Sequence, residues 1–238
     1  MPGQGVPPGS ALVELIDRLA RELLAEPSLD GVLGRAVHLA EQGIGGASSV
    51  SISLLDKRRR ISTVAASGDL ARAGDALQYR LGEGPCLDAV WASEVVHSCD
   101  LADDPRWPRW GPAVVADLAV RSMLSVQLYT HQRTMGSFNV YGRLPDAFGP
   151  AAVALAGSFA AHAAIADART FDRQNLETAL VTRNLIGQAQ GILMERHKIT
   201  ADRAFDVLAT ASQQSNTKLV EVARRVVDTG VSPPPAER

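Results

Sequence analysis

The sequence contains no proline from Ala151 to Ser232, so a long carboxy-terminal segment can stay helical without interruption. Within it, apolar residues recur at helical spacing in three successive groups, each marking one face of a helix. The groups are Leu176, Leu180, Ile186, Ala189 and Leu193; then Ala201, Ala204, Phe205, Leu208 and Ala211; then Leu219, Val222, Ala223, Val226 and Val227. None of these faces can be buried alone, so the pattern predicts a compact helical bundle.

Residues suited to helix ends separate the three predicted helices. Thr200 is a good N-cap for the second helix, with Asp202 in its first turn. Asn216 and Thr217 separate the second helix from the third, and Gly230 suits the left-handed residue that ends a helix. We therefore expect a long helix from about residue 150, with two shorter helices packed on its end.

Several stretches of this helical region match one known family. They are Leu176-Glu-Thr-Ala-Leu180, Ile186-Gly-Gln-Ala-Gln-Gly-Ile-Leu-Met-Glu-Arg196, Ala204-Phe205 and Ser215-Asn-Thr-Lys-Leu219. The segment from about 171 to 230 thus resembles the ANTAR family. The resemblance implies a three-helix module that binds paired RNA hairpins in leader transcripts and so blocks terminator formation. It also implies a homodimer joined through the helix around 155–190.

The resemblance points to a set of candidate RNA-binding residues: Arg183, Gln190, Arg196, Lys198, Arg203 and Lys218. Gln190 stands where the family usually has lysine, and Ala209 and Thr210 stand where it usually has arginine. Residues 171–230 hold eight Lys and Arg against seven Asp and Glu, so charge adds little attraction for phosphate. Two alternatives remain, namely solvated charges on helix faces and a dimeric protein-interaction module with weakened RNA binding.

Residues 11–168 show another pattern, in which helices precede short strands. Leu12–Leu23 and Val32–Ala40 have helical spacing, with Ser28 suited to cap the second helix. Residues 67–120 are rich in loops. The remaining predicted elements are strands at Val50–Leu54, Ile61–Ala66, Glu94–Ser98, Met123–Tyr129 and Met135–Tyr141, and helices at Cys86–Ala92 and Pro112–Ala116. This order predicts an α+β domain with an antiparallel sheet.

The stretch Leu81-Gly-Glu-Gly-Pro-Cys-Leu-Asp-Ala89, followed by Val95–Asp103, resembles actinobacterial proteins that pair a GAF domain with an ANTAR domain. The resemblance implies a PAS-like antiparallel sheet with flanking helices, joined by a long helix to an all-α three-helix bundle. We expect a flexible tail at 1–10, a GAF-like sensory domain at 11–168, an ANTAR domain at 169–230 and a disordered tail at 231–238. A small-molecule ligand of the GAF domain is expected but unidentified.

Five residues are candidates for a ligand site in the GAF-like domain: Cys86, His97, Cys99, Trp107 and Trp110. His97 and Cys99 are two apart on a predicted strand and so share a face. A metal or haem site and a structural role both fit the cysteines and the histidine. The tryptophans fit either a pocket lining or a clamp that holds a loop on the core. Lys57–Arg60 at a hairpin tip fits a solvated turn, or a contact with RNA or a partner.

Composition limits the function classes. Two cysteines are too few for a disulfide scaffold, and the amino terminus lacks the features of a secretory signal. The most apolar run, Ala151–Ala166, is broken by Ser158 and His162, so no membrane span is expected. No nucleophile elbow, zinc helix, P-loop or kinase motif occurs. We therefore expect a cytoplasmic protein that is not an enzyme and needs no metal or cofactor.

Overall fold

The structure is a computed structural model that describes residues 21–22, 26, 28–92, 94–130 and 133–232. The chain divides into two compact units between Thr170 and Phe171. Most of the helix predicted at Leu12–Leu23 and all of the tail predicted at 1–10 lie outside the described residues, as does most of the tail predicted at 231–238.

A five-stranded antiparallel sheet forms the centre of the amino-terminal unit. Its strands are β1 (Ser49–Leu55), β2 (Ile61–Ala66), β3 (Val95–Ser98), β4 (Ser122–Thr130) and β5 (Arg133–Gly142). They lie in the order β2-β1-β5-β4-β3, which makes the first and last strands neighbours. The predicted α+β class with an antiparallel sheet is confirmed.

One face of the sheet packs against two helices, α1 (Leu29–Gly43) and the first part of α5 (Pro150–His197). Val50 and Ile52 of β1 lie in this core, and the rings of Phe138 and Phe159 stack with centroids 5.9 Å apart. The predicted cap of α1 is confirmed, because Ser28 Oγ accepts a hydrogen bond from the Gly31 amide at 3.1 Å.

The opposite face of the sheet packs against three shorter helices: α2 (Asp69–Leu81), α3 (Pro85–Trp91) and α4 (Trp110–Leu118). The alternating residues of β1 are consequently buried on both faces. Ser49, Ser51 and Ser53 are as inaccessible as the apolar residues between them. Helices therefore flank the sheet on both sides, and the flanking helices that the family resemblance implies are confirmed.

Helix α2 is absent from the sequence-based prediction, which treats residues 67–120 as loops and shorter elements. The helix buries Asp75 and Gln78 together with Ala71 and Leu77. Because its buried face is partly polar, it lacks the apolar stripe by which a helix is recognised in a sequence. The helix is stabilised by tertiary contacts of its polar residues.

The carboxy-terminal unit contains the end of α5 followed by α6 (Ala201–Gln214) and α7 (Leu219–Thr229). Part of each predicted face lies in one core, which buries Ala189, Leu193, Ala204, Leu208, Ala211, Val222, Ala223 and Val226. Leu176 and Leu180 of the first predicted face and Ala201 and Phe205 of the second are exposed, so the prediction is wrong for these four residues. Thr200 caps α6 by accepting a hydrogen bond from the Arg203 amide at 3.4 Å, and Gly230 ends α7 with a φ of +66°.

Within the described ranges, α5 is the one helix that is long and apolar enough to cross a membrane by length and composition alone. Leu155, Ala156, Phe159 and Ala160 of this helix are buried against the sheet of the amino-terminal unit. Core packing therefore accounts for the apolar side of its first turns.

Candidate functional site

A group of hydrogen-bonded polar side chains is buried between the sheet and α2. Oδ1 of Asp75 accepts hydrogen bonds from Tyr141 Oη at 2.5 Å and Asn139 Nδ2 at 3.3 Å. Oδ2 accepts from Thr63 Oγ1 at 2.7 Å and, more weakly, from Ser53 Oγ at 3.5 Å. We call these five residues the Asp75 cluster. It joins α2 to β1, β2 and β5 through one carboxyl group.

The electrostatics of the Asp75 cluster are those of a buried acid without a cation. Burial raises the pKa of Asp75, although the hydrogen bonds from Tyr141 and Thr63 act to lower it. Among the described residues, no lysine or arginine forms an ion pair with this carboxyl group. Burial, and then the charge of Asp75, also raise the pKa values of Tyr79 and Tyr141, so both phenols keep their protons at neutral pH.

Gln78 connects this cluster to the segment that begins α3. Its Oε1 accepts a hydrogen bond from the Cys86 amide at 2.8 Å, and its Nε2 donates to Tyr141 Oη at 2.9 Å. Gly84 has a φ of +136°, and a Cβ there would lie 2.1 Å from Gln78 Oε1. The glycine-containing turn therefore allows close approach to Gln78, which is a structural role.

The two tryptophans predicted as ligand-binding residues lie in the core of the α2–α4 face. Trp107 and Trp110 are 2% and 0% exposed, and their rings meet edge to face with centroids 6.0 Å apart. Trp107 Nε1 donates to Asp88 Oδ2 at 2.9 Å. The placement corresponds to the alternative of a loop clamped on the core, since the rings pack against apolar neighbours.

Glu83 fixes the start of α4. Its Oε2 accepts hydrogen bonds from the backbone amides of Arg109 and Trp110 at 2.9 and 3.1 Å, and its Oε1 lies 2.5 Å from Arg109 Nε. The Arg109 side chain holds the pKa of Glu83 below its usual value. The segment from Leu81 to Ala89 thus stabilises the loop that carries the tryptophans.

The other three candidate ligand residues are in different environments. Cys86 is buried, and burial raises the pKa of its thiol to about 12. His97 Nε2 is buried without a hydrogen-bond partner among the described atoms, and partial burial lowers the pKa of this imidazole. Cys99 is exposed and follows the end of β3 at Ser98, so it does not share a strand face with His97. The described residues contain no metal-binding group of three or more His, Cys, Asp or Glu.

We expect the two thiols to differ sharply in reactivity. A thiol reagent at neutral pH should modify Cys99 in the native protein and Cys86 only after unfolding, because Cys86 is buried and protonated. Counting modified thiols before and after adding denaturant checks this, with Cys99→Ser as the control that removes the native reaction. Modification of both thiols in the native state would contradict the burial of Cys86.

In the carboxy-terminal unit, the candidate RNA-binding residues divide into two groups. Arg183, Arg203 and Lys218 are exposed and form no ion pair within the described part of the chain. The other three side chains make contacts within the bundle. Gln190 Nε2 donates to the Ala201 carbonyl at 3.0 Å, Arg196 donates to the Gly230 carbonyl, and Lys198 pairs with Glu195.

Family models match the two units in turn. A GAF domain model matches residues 26–166, which is more than half of the chain. The chain belongs to the GAF domain family. An ANTAR domain model matches residues 174–227, so an ANTAR domain follows the GAF domain. This architecture joins a sensory domain to an RNA-binding antitermination domain. The sequence matches none of the curated proteins.

Solved structures show the same fold in the GAF domain. The GAF domain of a phosphoenolpyruvate-protein phosphotransferase from Acinetobacter has a TM-score of 0.56 at 18% identity, covering 69% of this chain and 98% of that chain. Its Coxiella burnetii counterpart has a TM-score of 0.58 at 16% identity, covering 71% and 99%. The free methionine-R-sulfoxide reductase from Neisseria meningitidis, solved with its substrate, has a TM-score of 0.54 at 15% identity, covering 70% and 93%. At these identities the similarity shows the fold alone.

The sequence-based list of candidate residues omits the Asp75 cluster. One signal was present, because Ser51 and Ser53 alternate with apolar residues on β1, and Asn139 and Tyr141 alternate likewise on β5. The same alternation is typical of a strand with one solvent-exposed face. Only the helices packed over that face of the GAF domain show that its polar residues are buried together.

Proposed function

We propose that this protein is a cytoplasmic, non-enzymatic regulator of bacterial transcription. Its ANTAR domain binds paired RNA hairpins in leader transcripts and blocks formation of terminators. Its GAF domain changes this binding in response to a small molecule or a protein partner. Such a signal must bind one state of the regulator better than the other, because equal affinities shift no equilibrium.

The observation that supports RNA binding is the set of exposed, unpaired cations on the ANTAR domain. Arg183, Arg203 and Lys218 form no ion pair among the described residues. Lys198 and Arg224, by contrast, form ion pairs with Glu195 and Glu221. Cations that are already free need not break an ion pair before they contact phosphate. These three residues are therefore the proposed phosphate contacts.

A homodimer through α5 is part of the proposal. Leu155 and Phe159 of α5 are buried in the GAF core and cannot also line a dimer seam. Further along the helix, Leu176, Leu180 and Val181 are 62%, 59% and 64% exposed. Exposed leucines four residues apart on a helix favour association with a second helix. We propose that the dimer contact lies in this later part of the helix.

Removing two of the free cations tests RNA binding. The variant Arg203→Gln with Lys218→Gln should bind a two-hairpin leader RNA about 10- to 100-fold more weakly at low salt, with a salt slope smaller by about 1.5. Gel-shift titrations at several salt concentrations measure both quantities. Arg224→Gln is the matched control, because Arg224 lies 3.9 Å from Glu221 and its loss is expected to weaken RNA binding less. Wild-type protein that binds the leader no more tightly than a scrambled RNA would refute the proposal.

A protein-interaction module is the second candidate function. It is favoured by the near-neutral charge of residues 171–230 and by Gln190, whose amide is occupied by the Ala201 carbonyl. If RNA binding has faded, Gln190→Lys with Ala209→Arg should create RNA affinity that the natural protein lacks. Comparing both proteins on the same two-hairpin RNA decides between the candidates, since strong binding by the natural protein excludes this one.

Cysteine chemistry does not support an enzymatic function, although one protein of similar fold is a reductase. Burial raises the pKa of Cys86 to about 12, so at neutral pH this residue is a thiol and not the nucleophilic thiolate. A hydrogen bond with Asp146 raises the pKa of Cys99 as well. The charge of Arg106 acts to lower the pKa of Cys99, but the effect of Asp146 is larger, so neither cysteine has the lowered pKa of an activated catalytic thiol.

A further inference from the structure

The turn between β1 and β2 carries four consecutive cations, Lys57–Arg60, at the tip of the hairpin. All four residues are exposed. Arg60 forms an ion pair with Asp56 at 2.7 Å, and the other three have no acidic partner in the part of the chain that the structure describes. The tip thus presents unneutralised charge to solvent.

Hydrogen bonds to Asp56 hold this turn in one conformation. Its Oδ1 accepts from the backbone amides of Arg58 and Arg60 at 2.7 and 2.9 Å, and its carbonyl accepts from the Arg59 amide at 2.9 Å. Arg59 has a φ of +60°, in the left-handed region. The backbone that carries the cations is therefore fixed before any ligand binds, which reduces the backbone entropy lost on binding.

An exposed tryptophan accompanies the charges. Trp91, at the end of α3, is 50% exposed, and the guanidinium carbon of Arg59 lies 4.6 Å from the centroid of its ring. This distance is that of a cation–π contact. Flat aromatic and guanidinium groups beside cations are the combination on which unpaired nucleic-acid bases stack while their phosphates are neutralised.

We infer that Lys57, Arg58, Arg59 and Trp91, the hairpin-tip patch, bind single-stranded RNA as a second RNA contact on the GAF domain. The inference rests on the proposed function for the class of ligand, but on different residues in the other unit. An acidic protein segment would contact the cations but would not require the half-exposed ring of Trp91. RNA uses both, because every base has a face that stacks.

Fluorescence of the full chain tests this patch. An unstructured oligouridylate of about twelve nucleotides should quench Trp91, since single-strand sites span about 4–16 nucleotides. Trp107 and Trp110 are buried, so the quenched signal reports the exposed ring. Trp91→Leu should abolish the quench.

Variants of the cations then test whether the hairpin-tip patch binds the oligouridylate. Lys57→Ala with Arg58→Ala should weaken oligouridylate binding about fivefold or more and lower the salt slope by about 1.4, at about 0.7 per cation. Arg59→Lys keeps the charge but loses the planar group, so a loss of about threefold is expected. Arg72→Ala, an exposed arginine on α2, is the matched control and should change neither quantity.

Each outcome separates this inference from the proposed function. Failure of oligouridylate to quench Trp91, equal quenching by polyglutamate, or an unchanged affinity in the Lys57 and Arg58 variant would overturn the hairpin-tip patch alone. Binding of oligouridylate without binding of the two-hairpin RNA would overturn the proposed leader recognition and support the patch.

Discussion

Asp75→Leu is expected to lower the unfolding free energy of the GAF domain by about 3–5 kcal/mol. The leucine would leave the hydroxyl groups of Tyr141 and Thr63 and the amide of Asn139 without the acceptor they share. The Tyr141 hydroxyl then has no acceptor in the described part of the chain, whereas Asn139 still reaches Ser51 and Ser53 and Thr63 still reaches Tyr79. Denaturant unfolding followed by tryptophan fluorescence measures the loss, because all three tryptophans lie in this domain.

Asp75→Asn is the matched control, since its side-chain oxygen still accepts hydrogen bonds and it carries no charge. Burial raises the pKa of Asp75 above its unfolded value, so the unfolded chain releases the proton first. The stability of the natural protein should therefore fall as pH rises from about 4 towards the folded pKa. The Asn variant lacks this effect, so its stability relative to the natural protein should increase with pH. A pH-independent difference, or equal stabilities of the Leu and Asn variants, would contradict the role given to the carboxyl group.

Gly84→Ala is expected to cost the GAF domain about 2–4 kcal/mol. The added Cβ would lie 2.1 Å from Gln78 Oε1, at a backbone φ of +136° that alanine rarely adopts. Gln78 would have to move and would lose its hydrogen bonds with the Cys86 amide and Tyr141. Denaturant unfolding followed by tryptophan fluorescence measures the decrease in unfolding free energy.

Gly34→Ala, in α1, provides the comparison for this glycine. A Cβ at Gly34 meets no atom within 4 Å, so alanine should stabilise the helix by up to about 1 kcal/mol. We therefore expect alanine to lower the unfolding free energy at Gly84 and to raise it at Gly34. A neutral effect of Gly84→Ala would show that Gln78 can move without loss, and that the cluster tolerates another arrangement.

The elements best predicted from the sequence are those with strong periodicity or clear ends. The strand at Ile61–Ala66 has the observed bounds, and Ser28 and Thr200 cap the helices they were expected to cap. Helix α4 extends over Trp110–Leu118 and is longer than the predicted Pro112–Ala116, because Glu83 satisfies its first amides from a distant segment. Such a contact leaves no local pattern in the sequence.

For the candidate site residues, too, the sequence indicates the residue type but not the contacts made after folding. Arg203 and Lys218 are exposed, unpaired cations among the described residues, and their contact with RNA remains a prediction. The resemblance predicts the same role for Gln190, but its amide donates a hydrogen bond to the Ala201 carbonyl. Residue type indicates what chemistry a side chain can perform. The neighbours brought by folding determine whether the side chain is available for it.

The proline-free segment Ala151–Ser232, its three apolar faces and its family motifs specify a long helix and a bundle, because helical periodicity is a local property of the chain. The Asp75 cluster depended on tertiary structure. Its members come from α2, β1, β2 and β5, and their burial follows from helices packed over a strand face whose pattern also suits exposure to water. Long-range packing decided whether those polar residues face solvent or one another.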